Sequence, residues 1–444
     1  MFKQALYSVS ICLLLLLLPV IGSSTQPETN QSITIPKDQH TNNDTYDLLL
    51  ITSSYYTSIL TRLLDHKNSR GISTKIIDVQ DIYDGIYFPP QGRNHPEQIK
   101  YFLKNAYDTW NISYVLFFGS TRMIPTQYAN IILFGDEPPY NYTSELYYAD
   151  LYDEEGNFSS WDSDNDGIYL EWYNQSEAED DQQDLTPEIA IGRISFSSPL
   201  QAKLIISKII NYETSTKPAS WFSTMVVAGG DTFLDYEGYE GEVMTQNAVN
   251  VMSGFTPKIL WATNGKLDRF GLSIVKAINQ GCGFVYLAGH GSSNIWGTYN
   301  AEGEMIGLFT SLHTLALLNY NKLPVCILSG CHVNKIEKDI CLGVALTERG
   351  IGGAIAALGP TSLGYCGFEY NGSGIDFIEL QFFKEYANGS RVLGDIWKAS
   401  LIASLETYPI HWEQLAGVNS AIDAKMVSEW VIIGDPSLRI KDYS

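Results

Sequence analysis

Two short apolar runs in this 444-residue chain each end on a side chain that can do chemistry. Gly283-Phe-Val-Tyr-Leu-Ala-Gly delivers His290 and Gly291, and Leu323-Pro-Val-Cys-Ile-Leu-Ser-Gly delivers Cys331. A thiol and an imidazole brought to one place are a nucleophile and its general base. A third run, Thr224–Gly229, leads to Asp231, and a carboxylate near a catalytic imidazole orients it and stabilises its charged form. Glycines at 289, 291 and 330 permit close backbone approach, so the N–H groups of Gly291 and Cys331 are candidates for an oxyanion hole. His332 adjoins the cysteine, but consecutive strand residues point to opposite faces, which makes it the weaker base. Each residue alone has a bland reading: Cys331 as a buried thiol, His290 as the cap of a strand end. Their pairing at glycine-flanked strand ends favours chemistry. A zinc site from Cys326, Cys331, His332 and His290 lacks any Cys-x-x-Cys spacing.

The elements that must carry these groups follow from periodicity. Both runs have the length and the Val, Ile and aromatic content of buried strands. With a helix-like Leu308–Tyr320 between them they read as a βαβ unit, whose site lies outside the carboxyl ends of its strands. Upstream, strands at Tyr46–Thr52, Ile72–Val79, Tyr114–Gly119 and Glu188–Ile194 alternate with helices at Tyr55–Asn68, His95–Trp110 and Pro199–Glu213. Downstream of a patternless Thr214–Ser220, helices are expected at Glu240–Met252, Leu267–Asn279, Asp339–Arg349, Ile375–Ala387 and Val392–Leu405, with strands at Lys258–Thr263 and Gly352–Leu358. The fold class is α/β, in two αβα sandwich subdomains. They span residues 45–215 and 221–444, the second built on a mostly parallel sheet.

Hydrophobic residues make up 45% of the chain and its net charge is -22, which describes a globular protein without the basic stripe that nucleic acid requires. Lys3, the apolar run Ile11–Ile21 and then Gly22-Ser23-Ser24 have the layout of a signal peptide over residues 1–24, with a flexible linker or short pro-segment over 25–44. An uncleaved anchor is the rival, and only then would the membrane be a partner. Asn-x-Ser/Thr acceptors at Asn43, Asn111, Asn141, Asn157 and Asn388 agree with export. Outside the signal, Cys282, Cys326, Cys331, Cys341 and Cys366 are odd in number, and Cys331 is the one expected to stay free.

Asp162-Ser-Asp164-Asn-Asp166-Gly167 places oxygen ligands at alternate positions with glycine at the sharp bend, as a calcium loop requires. Tyr173 replaces the usual glutamate at the twelfth position, leaving Glu171 as the fourth candidate ligand beside Asp162, Asp164 and Asp166. The expected ion is structural, and no organic cofactor is expected. The rival reading is an acidic surface turn.

Gly289-His290-Gly291-Ser292 with Trp296-Gly297, Ser329-Gly330-Cys331, Gly352-Gly-Ala-Ile-Ala356 and Gly434-Asp-Pro-Ser-Leu438 together resemble the gingipain-type cysteine peptidases of caspase-like fold. Tyr147-Tyr-Ala-Asp150 and Gly192-Arg-Ile194 extend that resemblance into the first half. It implies a secreted cysteine endopeptidase acting on proteins or peptides, with Cys331 as nucleophile, His290 as base and Asp231 as the acidic member. It also implies a substrate site that includes Trp296 and an acidic residue near the start of the next helix, Glu242 or its rival Glu240. Such a carboxylate would pair with a substrate Arg or Lys. The loop Gly359-Pro-Thr-Ser362 departs from the family pattern, leaving specificity open. Two readings from other classes stand beside this one: a non-catalytic calcium-binding surface protein, and a transpeptidase using the same thioester.

Overall fold

The computed structural model describes residues 45–441 except 135, 137–140, 179–180, 216–219, 339 and 368–371. The expected signal and linker, residues 1–44, and part of the expected boundary lie outside the described residues. Residues 42–444 form one compact unit. Its backbone is a ten-stranded sheet whose order across is Thr74–Asp78, Leu48–Thr52, Tyr114–Phe118, Ala190–Ile194, Trp430–Ile433, Ala356–Pro360, Val325–Ser329, Phe284–Ala288, Thr224–Gly229 and Thr256–Trp261. The two halves read from the sequence therefore share one sheet. Trp430–Ile433 joins them, antiparallel to Ala356–Pro360 and parallel to Ala190–Ile194. Strands of the first half consequently run opposite to those of the second.

Alternate residues of the central strands feed two apolar layers. Phe284, Tyr286, Ala288, Val325 and Ile327 enter one core, and Val285, Leu287, Cys326 and Leu328 the other. Burying a large apolar side chain of this kind contributes roughly 1.5–3 kcal/mol. Local signals set several helix starts: Asn94 and Ser198 each accept a backbone N–H three residues on, and Pro96 and Pro199 stand in the first turns that follow.

Two expectations need correction, and one helix was not foreseen. Leu308–Tyr320 is not a helix: His290–Ser292, Ile295–Tyr299 and Met305–Thr310 form a small antiparallel sheet, and a 3-10 turn, Ser311–Ala316, follows. The strand expected at Gly352–Leu358 lies at Ala356–Pro360, because Gly352 and Gly353 take left-handed φ of 79° and 80° and turn the chain first. A helix at Asn419–Glu429 has no counterpart in the sequence reading.

Candidate active site

In the register of the central strands, Ala288 stands beside both Gly229 and Ser329. The residues just beyond, Asp231, His290 and Cys331, therefore leave the sheet at one edge. The Gly289 N–H donates to the Ser329 carbonyl at 3.1 Å, carrying the pairing past the strand ends. Beyond it the two backbones touch without side chains between them. A Cβ on Gly330 would fall 3.0 Å from the Gly291 nitrogen, and one on Gly291 would fall 2.7 Å from the Cys331 carbonyl oxygen. These glycines let the backbone at His290–Gly291 pass directly against that at Gly330–Cys331.

The hydrogen bonds of the two reactive side chains lead elsewhere. His290 Nε2 lies 2.7 Å from the Thr232 carbonyl oxygen. A carbonyl only accepts, so Nε2 carries the proton and Nδ1 is the basic nitrogen. Tyr299 and Phe233 flank the imidazole edge-on, at centroid distances of 5.3 and 6.3 Å. Cys331 Sγ lies 3.9 Å from the Gly364 carbonyl oxygen. Burial pushes this thiol above its ordinary value, and the nearby Glu429 carboxylate adds to the shift. The thiol and the imidazole thus each rest on a main-chain carbonyl, Gly364 and Thr232 respectively.

Asp231 does not hold the ring; the Thr232 carbonyl does. Asp231 Oδ1 is buried without a partner. Burial raises the acid's pKa and the neighbouring Glu240 raises it further, against the opposing effects of the Phe233 amide and His290. The charge of His290 is thus felt at Asp231, while the hydrogen bond of the ring is to Thr232. Strand alternation does not govern His332, because Cys331–Asn334 is a turn and His332 takes φ 60°. Burial and Lys335 lower its pKa, and its Nδ1 is buried without a partner.

Of the expected substrate contacts, Trp296 and Glu242 are both buried. Trp296 is fully buried, and its Nε1 donates to the Ser329 carbonyl at 3.1 Å. It pins the small antiparallel sheet under the strand that carries Cys331 rather than lining a cleft. Glu242 is buried, its Oε1 accepting from the Thr263 N–H at 2.9 Å and its Oε2 from the Thr263 hydroxyl at 2.6 Å. Glu240 Oε2 accepts from the Thr232 N–H at 3.1 Å. The departing loop at Thr361 is braced from the first half, since its hydroxyl donates to the Thr143 carbonyl at 2.6 Å. Cys326 faces the core, where burial pushes its thiol well up, so it does not join Cys331 and His290 in a metal site.

In the acidic loop, one oxygen each from Asp162, Asp164 and Asp166 lie within 4.8 Å of one another, a hard-oxygen set that fits a calcium ion. Glu171 stands outside this group, with its carboxylate bonded to Tyr173. Arg93 Nη1 contacts Asp162 at 2.8 Å. Asp181, which sequence spacing did not single out, accepts from the Ser163 and Glu171 amides at 2.7 and 3.3 Å, and burial pushes its carboxyl up to about 6.

Residues 41–441 match the sequence profile described as peptidase family C25. The chain belongs to this family. Gingipain R2 of Porphyromonas gingivalis (strain ATCC 33277) is 23% identical over 406 residues, covering 89% of this chain and 46% of that protein. This chain therefore spans about half the length of that curated C25 relative. An uncharacterized protein of Archaeoglobus fulgidus is 22% identical over 390 residues, covering 80% of this chain and 86% of its own. The crystal structure of the Arg-specific cysteine proteinase gingipain R (RGPB) superposes with a TM-score of 0.63 at 21% identity, over 91% of this chain and 79% of that one. The mature and pro-domain complex of Porphyromonas gingivalis RgpB gives 0.63 at 20% identity, over 89% and 80%. At such identity the likeness is one of fold, the caspase-like α/β arrangement with a large, mostly parallel sheet. The motifs that carried the resemblance now divide by role. Arg193 is a buried cation paired with Glu145 at 2.9 Å, and Asp435 binds Lys67 at 2.8 Å. Only the His290 and Cys331 motifs reach the reactive edge of this C25 fold.

Proposed function

We propose that the chain is a secreted cysteine endopeptidase that hydrolyses peptide bonds through a Cys331 thioester. The observation that carries this reading is the side-chain-free backbone contact between Gly330–Cys331 and His290–Gly291, the strand ends from which thiol and imidazole project. Substrate binding draws Sγ from the Gly364 carbonyl toward His290, whose Nδ1 takes the proton while Nε2 stays on Thr232. The thiolate attacks the scissile carbonyl, and the Gly291 and Cys331 amides receive the oxyanion. The Nδ1 proton then passes to the departing amine. Water, deprotonated by the same nitrogen, cleaves the thioester and restores the thiol. Asp231 stabilises the transient imidazolium. Preference for Arg or Lys rests on Glu242, whose carboxylate keeps free lone pairs beyond its two bonds to Thr263.

A structural calcium ion held by Asp162, Asp164 and Asp166 is part of the proposal, with Asp181 bracing the loop beneath them. Among the described residues no helix is long and apolar enough to cross a membrane. Export is proposed from the basic and apolar pattern of residues 1–24.

The test is cleavage of a fluorogenic peptide panel varied at P1, with reductant and calcium, by the parent and by Cys331→Ala. Turnover by the parent and none by the variant is expected, with Arg or Lys preferred. Equal turnover by both proteins would refute the thioester mechanism. Transfer of the acyl group to an added amine in preference to water would identify a transpeptidase.

A further inference from the structure

We propose that Glu240 is a positioning residue for the catalytic base, holding the backbone that orients His290, and is not a wall of the substrate pocket. This rests on the peptidase reading, because it assigns a function to the same imidazole.

The Asp231 carbonyl and the Thr232 N–H belong to a single rigid unit. On its carbonyl side, the Thr298 hydroxyl donates to the Asp231 oxygen at 2.9 Å and the Tyr299 N–H donates at 3.0 Å. On its N–H side, the described partner is Glu240 Oε2 at 3.1 Å. The unit is thus gripped from both poles, and the next carbonyl along, that of Thr232, is the one bonded to His290 Nε2 at 2.7 Å. If Glu240 let go, the plane could rock about its carbonyl anchor, and the Thr232 oxygen would move with it. A shift of about 1 Å in a catalytic group can cost about 100-fold in rate.

Glu240 itself rides on a rigid base. It is the first residue of the helix Glu240–Val251. The Gly241 N–H donates to the Gly230 carbonyl at 3.1 Å, and a Cβ on Gly241 would strike the Ala288 carbonyl oxygen at 2.5 Å. The helix start is therefore packed backbone to backbone on the strand ends that carry Asp231 and His290. Two residues on, Glu242 turns to Thr263 instead, so the two acids of this helical turn have separate jobs.

Two substitutions separate positioning from substrate binding. Glu240→Gln keeps an acceptor oxygen for the Thr232 N–H, and Glu240→Ala removes it. In a Cys331→Ala background, nitrogen-15 NMR of labelled histidine should show His290 as the Nε2–H tautomer in the parent and in Glu240→Gln, and as a mixture in Glu240→Ala. In the active protein, Glu240→Ala should lower kcat about tenfold or more with KM within about twofold and P1 preference unchanged, and Glu240→Gln should recover most of the loss. A parental tautomer and kcat in Glu240→Ala would overturn the proposal. So would a loss confined to KM with altered P1 preference, which would make Glu240 a pocket residue. If Glu240→Ala does not fold, Glu240→Met, closer in volume, replaces it with the same expectations. If the parent cleaves no peptide, the peptidase reading fails separately, and the tautomer measurement still decides what Glu240 does.

Discussion

Two buried ionic centres of the first half and the polar groups at the reactive edge of the second are arranged in opposite ways. In the first half, Lys67 is fully buried yet meets Glu213 at 2.9 Å and Asp435 at 2.8 Å. Arg193 pairs with Glu145 and also donates to the Gly119 and Ile124 carbonyls at 3.1 and 2.9 Å. Their charges are matched and their donors placed, as buried ions require. At the reactive edge, Asp231 Oδ1 and His332 Nδ1 are buried without partners, Cys331 has a single long contact, and Glu429 is buried with neither carboxylate oxygen bonded. The Lys67 and Arg193 centres use their polar groups to fix the fold, and the edge leaves capacity open for chemistry.

Mutations can break that contrast. The largest effect is expected at the reactive edge: His290→Ala should lower kcat by about 10²–10⁴-fold while changing the urea midpoint little. A comparable loss of stability would erase the distinction, since it would make the imidazole a structural group. Next, Lys67→Met strips Asp435 of its buried cation and leaves Glu213 only His66 and the Arg439 amide, and urea unfolding should report a loss of about 3–5 kcal/mol. A change under about 1 kcal/mol would mean that this centre is no better matched than the edge. The smallest effect concerns Asp181. Its carboxyl is pushed up to about 6 from an ordinary 3.8 by burial, so across that window the folded state keeps a proton that the unfolded chain releases. Its contribution is present below 3.8 and is lost as pH rises through about 6. Thermal unfolding across this window should show the decline in the parent and a flatter profile in Asp181→Asn. Added calcium should offset the decline in the parent but not in Asp162→Asn. Identical profiles with and without calcium would remove the ion from the proposal.

What was legible depended on whether the signal was local. The strands before His290 and Cys331 showed as apolar runs, and His95–Trp110 showed through Pro96 and Glu97. The leucine spacing at 312, 315 and 318 imitates a helix face, but these side chains are exposed on or just beyond a 3-10 turn whose period is three. Asn419–Glu429 escaped notice because it is buried all round, with Ser420, Asp423, Lys425, Ser428 and Glu429 inside, so it has no polar face to give an amphipathic pattern. At the site, side chains were legible but their partners were not. The group that orients His290 is a main-chain carbonyl, which any residue could supply. Trp296 drew attention by adjoining the histidine motif, and only its bond to Ser329 places it in the core. Asp181 lies far along the chain from Asp162, beyond the reach of any loop spacing.

The single strand that stitches the two halves together also sets an order of events during folding. Ile433 pairs with Arg193 across a long stretch of chain, whereas the other strands of each half find neighbours from their own half. Until Trp430–Ile433 arrives, Ala190–Ile194 and Ala356–Pro360 are raw sheet edges, templates for strands of other molecules. Because forming a contact so distant in sequence is slow, a folding route that built both half-sheets first would leave these two edges open until that strand docked.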